Sequence, residues 1–250
     1  SASVMKRIMP VYEPAAMQQL YNLTLPIVII PTLLAVLFNE RRLSKSEAKA
    51  ASEEAYASTP TGNVLTVPLN LLRNHGTTRN FFGFIMLSTL GVFLQDSILE
   101  VFGAEAFGMT VAETTSFQQI WGGGVLLSMM IVGTITAIRP FSKQRVAQLG
   151  NVATAIGLIF LAGSAILHQQ SWLNPALLVM GLGTGVYTVG ALSTMMELSA
   201  KGATATYMGL WGMAQAFGNG LASILAGALY TLLIGSGFLS AGVGYGAIFT

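Results

Sequence analysis

The stretch Phe81–Phe102, FFGFIMLSTLGVFLQDSILEVF, decides the fold: 22 residues with only two charges and no proline. As a helix it is long enough to cross roughly 30 Å of hydrocarbon. Its apolar residues run on rather than alternate. That favours a helix over a strand of a β-barrel, the only other structure that satisfies its backbone in lipid. Similar runs lie at Asn22–Asn39, Ile120–Ile138, Val146–Leu167, Pro175–Leu198 and Tyr207–Ile234. A last run, Phe238–Thr250, has 13 residues and would reach only about 20 Å. The reading is an all-α, polytopic helical membrane protein with six full spans and part of a seventh. Pro26 and Pro31 are expected to bend the first span.

Composition agrees. Of 250 residues, 53% are hydrophobic and 9% charged, against about 25% charged in an ordinary soluble domain. Mean hydropathy is +0.65, and 28 glycines suit closely packed membrane helices. A soluble enzyme is excluded. The net charge of +2 rests on too few charges to form a basic stripe for nucleic acid. No cysteine is present, so there is no disulfide framework or thiolate site.

Both ends read as cut: no signal segment opens the chain, and it stops inside an apolar run. The longest polar stretch, residues 40–80, holds Arg41, Arg42, Lys45, Lys49, Arg73 and Arg79, and reads as a linker with a short surface helix. Arg139, Lys143, Arg145 and Lys201 fall on the same side, giving that side ten of the twelve basic residues. By the positive-inside rule the linker is expected to be cytoplasmic. Lys6 and Arg7 break the pattern. A span, a charged linker and further spans fit the later part of a two-bundle, twelve-helix transporter fold. Residues 1–39 would end the first bundle with helix six at 22–39, and 81–250 would form the second bundle to part of helix twelve. An unrelated six- or seven-helix protein is the other reading of the same count.

Polar residues inside the spans locate the candidate chemistry. Asp96 and Glu100 are four apart, so a helix puts both on one side. An acid within a span is a functional candidate because it costs roughly 2.5–3.5 kcal/mol at mid-bilayer. The alternative is that both are solvated or cap the following Gly103 turn. Glu105 and Glu113 make the following turn acidic, and the stretch from Gly103 to Gln119 reads as a short amphipathic piece or a plain loop. Trp121 reads as an interface aromatic, with Gly122, Gly123 and Gly124 allowing close approach or an irregular turn. Glu197 ends a span whose Gly181, Gly183, Gly185 and Gly190 chiefly suggest helix packing. Gln215 and Asn219, at i and i+4, are cavity donors or interhelical glue. His75 and His168 form no zinc motif. A tetrapyrrole magnesium needs only one imidazole, amide or carboxylate ligand. His168 could supply it, though an exposed loop histidine is the plainer reading.

The segment Gln95–Gly124, QDSILEVFGAEAFGMTVAETTSFQQIWGGG, resembles the PucC family, a bacteriochlorophyll-delivery branch of the major facilitator superfamily. Gln95-Asp96, Leu99-Glu100, Gly103, Glu105, Phe107-Gly108-Met109, Val111, Glu113-Thr114-Thr115 and Trp121-Gly122-Gly123-Gly124 carry the resemblance. Val101-Phe102 stands where the family pattern has Pro-Tyr, and Ala104 where it has Gly. Arg139–Arg145 lacks the Asp-Arg pair of the superfamily loop signature. The resemblance implies a major-facilitator-type fold and a non-enzymatic role in assembling light-harvesting or photosystem complexes. Such a protein handles chlorophyll or bacteriochlorophyll as cargo and meets antenna polypeptides. The expected setting is a thylakoid, intracytoplasmic photosynthetic or plasma membrane. On that view Gln95, Asp96, Glu100 and Glu105, with His168, edge a pigment cavity. Two other functions compete. One is a proton-coupled transporter of a neutral or amphiphilic solute, drawing on Asp96, Glu197, Gln215 and Asn219; the other is a scaffold binding antenna polypeptides through glycine-rich faces.

Overall fold

The computed structural model describes residues 14–39, 44–58, 66–138, 141–198 and 204–250. Lys6, Arg7, Arg41, Arg42, Arg139 and Lys201, used above to orient the chain, lie outside the described residues. Two compact units divide the chain, residues 1–59 and 60–250.

The first unit holds α1 (Pro14–Asn39) and α2 (Lys45–Ser58). α1 runs uninterrupted through Pro26 and Pro31. Its apolar residues Leu25, Ile27, Val28 and Ile30 are exposed, as a lipid-facing surface requires. α2 begins at a reciprocal cap: the Ser44 N–H donates to Glu47 Oε2 at 2.8 Å, and the Glu47 N–H donates to Ser44 Oγ at 3.3 Å. The Ser44 backbone donor holds the Glu47 carboxyl below its ordinary value of 4.5. A carboxyl depressed by folding stabilises the cap above the unfolded value and loses that contribution as pH falls through the folded one. The Ser44 amide shift is therefore expected to titrate with a midpoint below 4.5 and to lose its pH dependence in Glu47→Gln. A midpoint above 4.5 in solution NMR would contradict the cap.

The second unit contains α3 (Thr66–Asn74), α4 (Gly76–Phe107), α5 (Val111–Thr114), α6 (Ser116–Ile138), α7 (Lys143–Leu167), α8 (Leu173–Leu198), α9 (Thr204–Tyr230) and α10 (Ala241–Phe249). Five continuous helical stretches are long and apolar enough to cross a membrane: Gly76–Phe107, Val111–Ile138, Lys143–Leu167, Gln170–Leu198 and Thr206–Gly235. The chain is a polytopic helical membrane protein. Its outward sides carry bare Leu126, Met130, Ile138, Leu149, Ile159 and Ile224, residues that water would not tolerate in such density.

Helix α8 is the hub, packed against both α7 and α6, while α4 pairs with α9 and α10 lies across α7 and α4. Glycines set the spacing. A Cβ at Gly183 would strike Thr154, and one at Gly150 would strike the Tyr187 backbone. At Gly157 it would stand 2.6 Å from the Met180 nitrogen. On the other side of α8, Gly181 meets Trp121 and Gly185 meets Ser128. Such contact gives dispersion energy along the whole helix, the main source of association where lipid removes the hydrophobic drive. The packing explanation of the α8 glycines is the one the structure realises.

Helix α4 runs five residues beyond the expected 81–102 at each end. Ala104, Glu105 and Ala106 favour helix, and Gly103 lets Phe117 and Thr114 close against the turn. The helix stops at Gly108, whose φ of 64° is open to glycine and whose N–H returns to Ala104 O. A capping box at Thr110 and Glu113 then starts α5, so the acidic turn is built from helix ends rather than a loose loop.

Candidate functional site

Helix α4 distributes three carboxylates around its end farthest from the basic residues of the second unit. Asp96 is half-buried, and its Oδ1 accepts from Gln118 Nε2 on α6 at 2.7 Å. Glu100, one turn on, is exposed and makes no hydrogen bond among the described residues. Glu105 faces the other way. Its Oε1 accepts from the Tyr230 hydroxyl of α9 at 2.7 Å and its Oε2 from the Tyr245 hydroxyl of α10 at 2.6 Å. The helical spacing thus keeps Asp96 and Glu100 together, while Glu105 serves a different pair of helices.

Between these groups runs a groove of about 290 Å³, lined by Ser97, Ile98 and Val101 of α4 and Ser223, Gly227 and Tyr230 of α9. Ser97 Oγ donates to Ser223 Oγ at 3.4 Å. Asn219, a turn before Ser223, is exposed, and Gln215 before it is half-buried. Neither amide bonds to another described residue. Gly91, Gly122, Gly123, Gly212, Gly220 and Gly227 each face open space, with nothing within 4 Å of where a Cβ would stand. No described residue fills the space before these glycines, although each costs about 1 kcal/mol of helix propensity relative to alanine.

The remaining candidates sit elsewhere. Gln95 is 2% exposed and turns inward; its Nε2 donates to Val92 O at 3.0 Å and its Oε1 has no partner. Trp121, expected at the interface, is partly buried with an unpartnered Nε1. His168 caps α7 in the left-handed region, φ 50°, and its imidazole lies beside the α10 backbone at Gly242. Glu197 is ion-paired with Lys143 at 2.5 Å, joining α8 to α7 at the basic end. No cluster of three or more metal-binding side chains occurs among the described residues.

Sequence reasoning passed over Tyr230, Tyr245, Ser97, Ser223 and Gln118. Ser97 and Gln118 carried a signal, lying within the Gln95–Gly124 segment. The tyrosines come from distant stretches, and their meeting at Glu105 is a tertiary fact. Tyr245 is fully buried within an aromatic group with Phe102 and Phe249, ring centroids 5.0 and 6.2 Å away. Tyr245→Phe removes a charge-assisted hydrogen bond and is expected to lower stability by about 1.5–3 kcal/mol. Tyr230→Phe, at a more open site, is expected to cost less. Denaturation in mixed micelles measures both, and equal losses would show that burial does not govern the pair.

The greasy outer sides and the five spans define a multi-pass integral membrane protein. A profile of the family described as PUCC protein matches residues 1–250, and the chain belongs to that family. It is 31% identical over 176 residues to the bacteriochlorophyll synthase 44.5 kDa chain of Rhodobacter capsulatus, covering 68% of this chain and 40% of that protein. It is 34% identical over 149 residues to protein PucC of Cereibacter sphaeroides, covering 60% of this chain and 32% of that protein. Protein PucC of Rhodobacter capsulatus is 24% identical over 230 residues, covering 91% and 48%. The chain therefore spans less than half the length of these relatives. No solved structure matches it.

Proposed function

We propose that the protein holds and hands over chlorophyll or bacteriochlorophyll while light-harvesting or photosystem complexes are assembled, at the edge formed by α4, α6 and α9. The observation that carries this reading is the 290 Å³ groove between α4 and α9, walled in part by the bare backbone of Gly227, with the exposed carboxylate of Glu100 on the same helix α4. Bare backbone admits the face of a flat ring more closely than any side chain would. The groove offers an apolar wall for a tail, with Ser97 and Ser223 for ring carbonyls.

The cargo's magnesium is a hard ion that takes oxygen ligands. Among the candidate residues, Asp96 is engaged by Gln118, Glu105 by two tyrosines, and His168 lies against α10. Gln95 has an unclaimed oxygen but is enclosed. Glu100 remains as the accessible oxygen donor. One relative bears the name of a synthase chain. The edge presents hydroxyls, amides and one carboxylate, groups suited to holding a ring rather than transforming it. The reading also takes the fold as major-facilitator-type, with residues 40–80 as a cytoplasmic linker between bundles of a photosynthetic membrane protein.

An absorption spectrum of the intact protein, purified in mild detergent from a photosynthetic host and washed extensively, tests this. Near-stoichiometric pigment is expected, with antenna polypeptides as co-purifying partners. A colourless, stable protein that drives proton-coupled uptake in vesicles would replace it with the transporter reading. A colourless protein that still retains antenna polypeptides would leave the scaffold.

A further inference from the structure

A second cleft opens at the opposite, basic end of the second unit, between α4, α7 and α8. Its volume is about 310 Å³, at the lower end of small-molecule sites, which run from about 300 to 1,000 Å³. Thr77 and Asn80 of α4 and Gln144 and Gln148 of α7 line it, together with Phe81 and Phe84. The two rings lie 6.4 Å apart and near parallel, 26° between planes, so they form a ledge. Deeper along the same helices, Asn151 Nδ2 donates to Ser88 Oγ at 2.6 Å and ties α7 to α4.

The chemistry of this lining is specific. The Asn80, Gln144 and Gln148 amides bond to no other described residue, so three donor and acceptor pairs are available at one mouth. None of the lining residues is charged. Of the described charged residues that adjoin the lining in sequence, Lys143 is ion-paired with Glu197, and Arg79 and Arg145 are exposed positions outside the lining. Among the described residues, no charged side chain lines the cleft to meet a phosphate or an ammonium head. A ring of hydroxyls would pair with amides on its edge and lay its C–H face on the aromatic ledge. The cleft is formed by the first turns of α4 and α7 and the last turn of α8, the ends of three spans. That places it where a head group sits at the membrane boundary.

We propose that this cleft binds an uncharged, hydroxyl-rich head about the size of one sugar ring, supplied by a membrane glycolipid or a free sugar. The test uses the intact protein in phosphatidylcholine nanodiscs doped with monoglucosyl diacylglycerol or with diacylglycerol of the same chains. Lipid retained on the protein is read by native mass spectrometry. The expected result is about tenfold preferential retention of the glucolipid, equal to ~1.4 kcal/mol, abolished in Asn80→Leu and in Gln148→Leu. Displacement by free glucose would support the site and identify the sugar itself as sufficient. Retention that glucose does not disturb would support the site and identify the lipid as the source. Equal retention of the two lipids by the unmodified protein, with no glucose effect on Trp211 fluorescence beside Phe81, overturns the proposal. So does a glucolipid preference that survives both substitutions.

Discussion

Gly183→Leu is expected to abolish stable accumulation of the protein. Gly183 sits where α8 crosses α7, and any side chain there would meet the Thr154 backbone and hydroxyl and the Ala153 carbonyl carbon. These are backbone atoms of a helix held by its own hydrogen bonds, so no rotamer change relieves the clash. Overpacking of this kind costs about 1–3 kcal/mol and sometimes more, a large part of a total stability of about 5–15 kcal/mol. The loss would spread, because α8 also seats α6 through Gly181 and Gly185. Gly123→Ala is the control: its Cβ would stand in open space, and alanine gains up to about 1 kcal/mol of helix propensity. Size-exclusion profiles and thermal midpoints should show Gly183→Leu aggregated and Gly123→Ala intact. A wild-type midpoint for Gly183→Leu would refute the interlocked α7–α8 packing.

The second large effect is expected at the polar edge. The double substitution Asp96→Asn with Glu100→Gln should lower pigment retained per polypeptide by about tenfold, equal to ~1.4 kcal/mol, with little change in stability. The single variants divide this loss unequally. Glu100→Gln removes a carboxylate that no other described residue engages and should carry most of it. Asp96→Asn keeps an oxygen for Gln118 and should retain pigment near the wild-type level. A proton carrier would give the opposite order, with Asp96→Asn alone stopping uptake. Wild-type pigment in the double variant would falsify the assignment of the edge.

Much of the membrane architecture was legible because the bilayer imposes it. Phe81–Phe102 had to be a helix once its length and lack of charge were read, since lipid offers no partner for a backbone polar group. The pairing of Asp96 with Glu100 followed equally from a period of 3.6 residues. Glu105 was different. Its distance along the chain suggested a neighbour of the other two acids, but five residues turn a helix to another face. Its true partners, Tyr230 and Tyr245, lie 125 and 140 residues away. The basic-end cleft was invisible for the same reason: Asn80 and Gln148 are ordinary polar residues until two helices bring their amides to one mouth.

The glycines show the division most clearly. Sequence marks all 28 alike, as sites of weak helix propensity and free approach. By itself it determined that helices cross a membrane, and the Gln95–Gly124 segment pointed to the family they belong to. Those properties depend on local composition and period. Only the tertiary structure decided that Gly150, Gly157, Gly181 and Gly183 are filled by neighbouring helices while Gly122, Gly123, Gly220 and Gly227 stand open. That difference depends on what packs across from each residue, a non-local fact that no single helix carries.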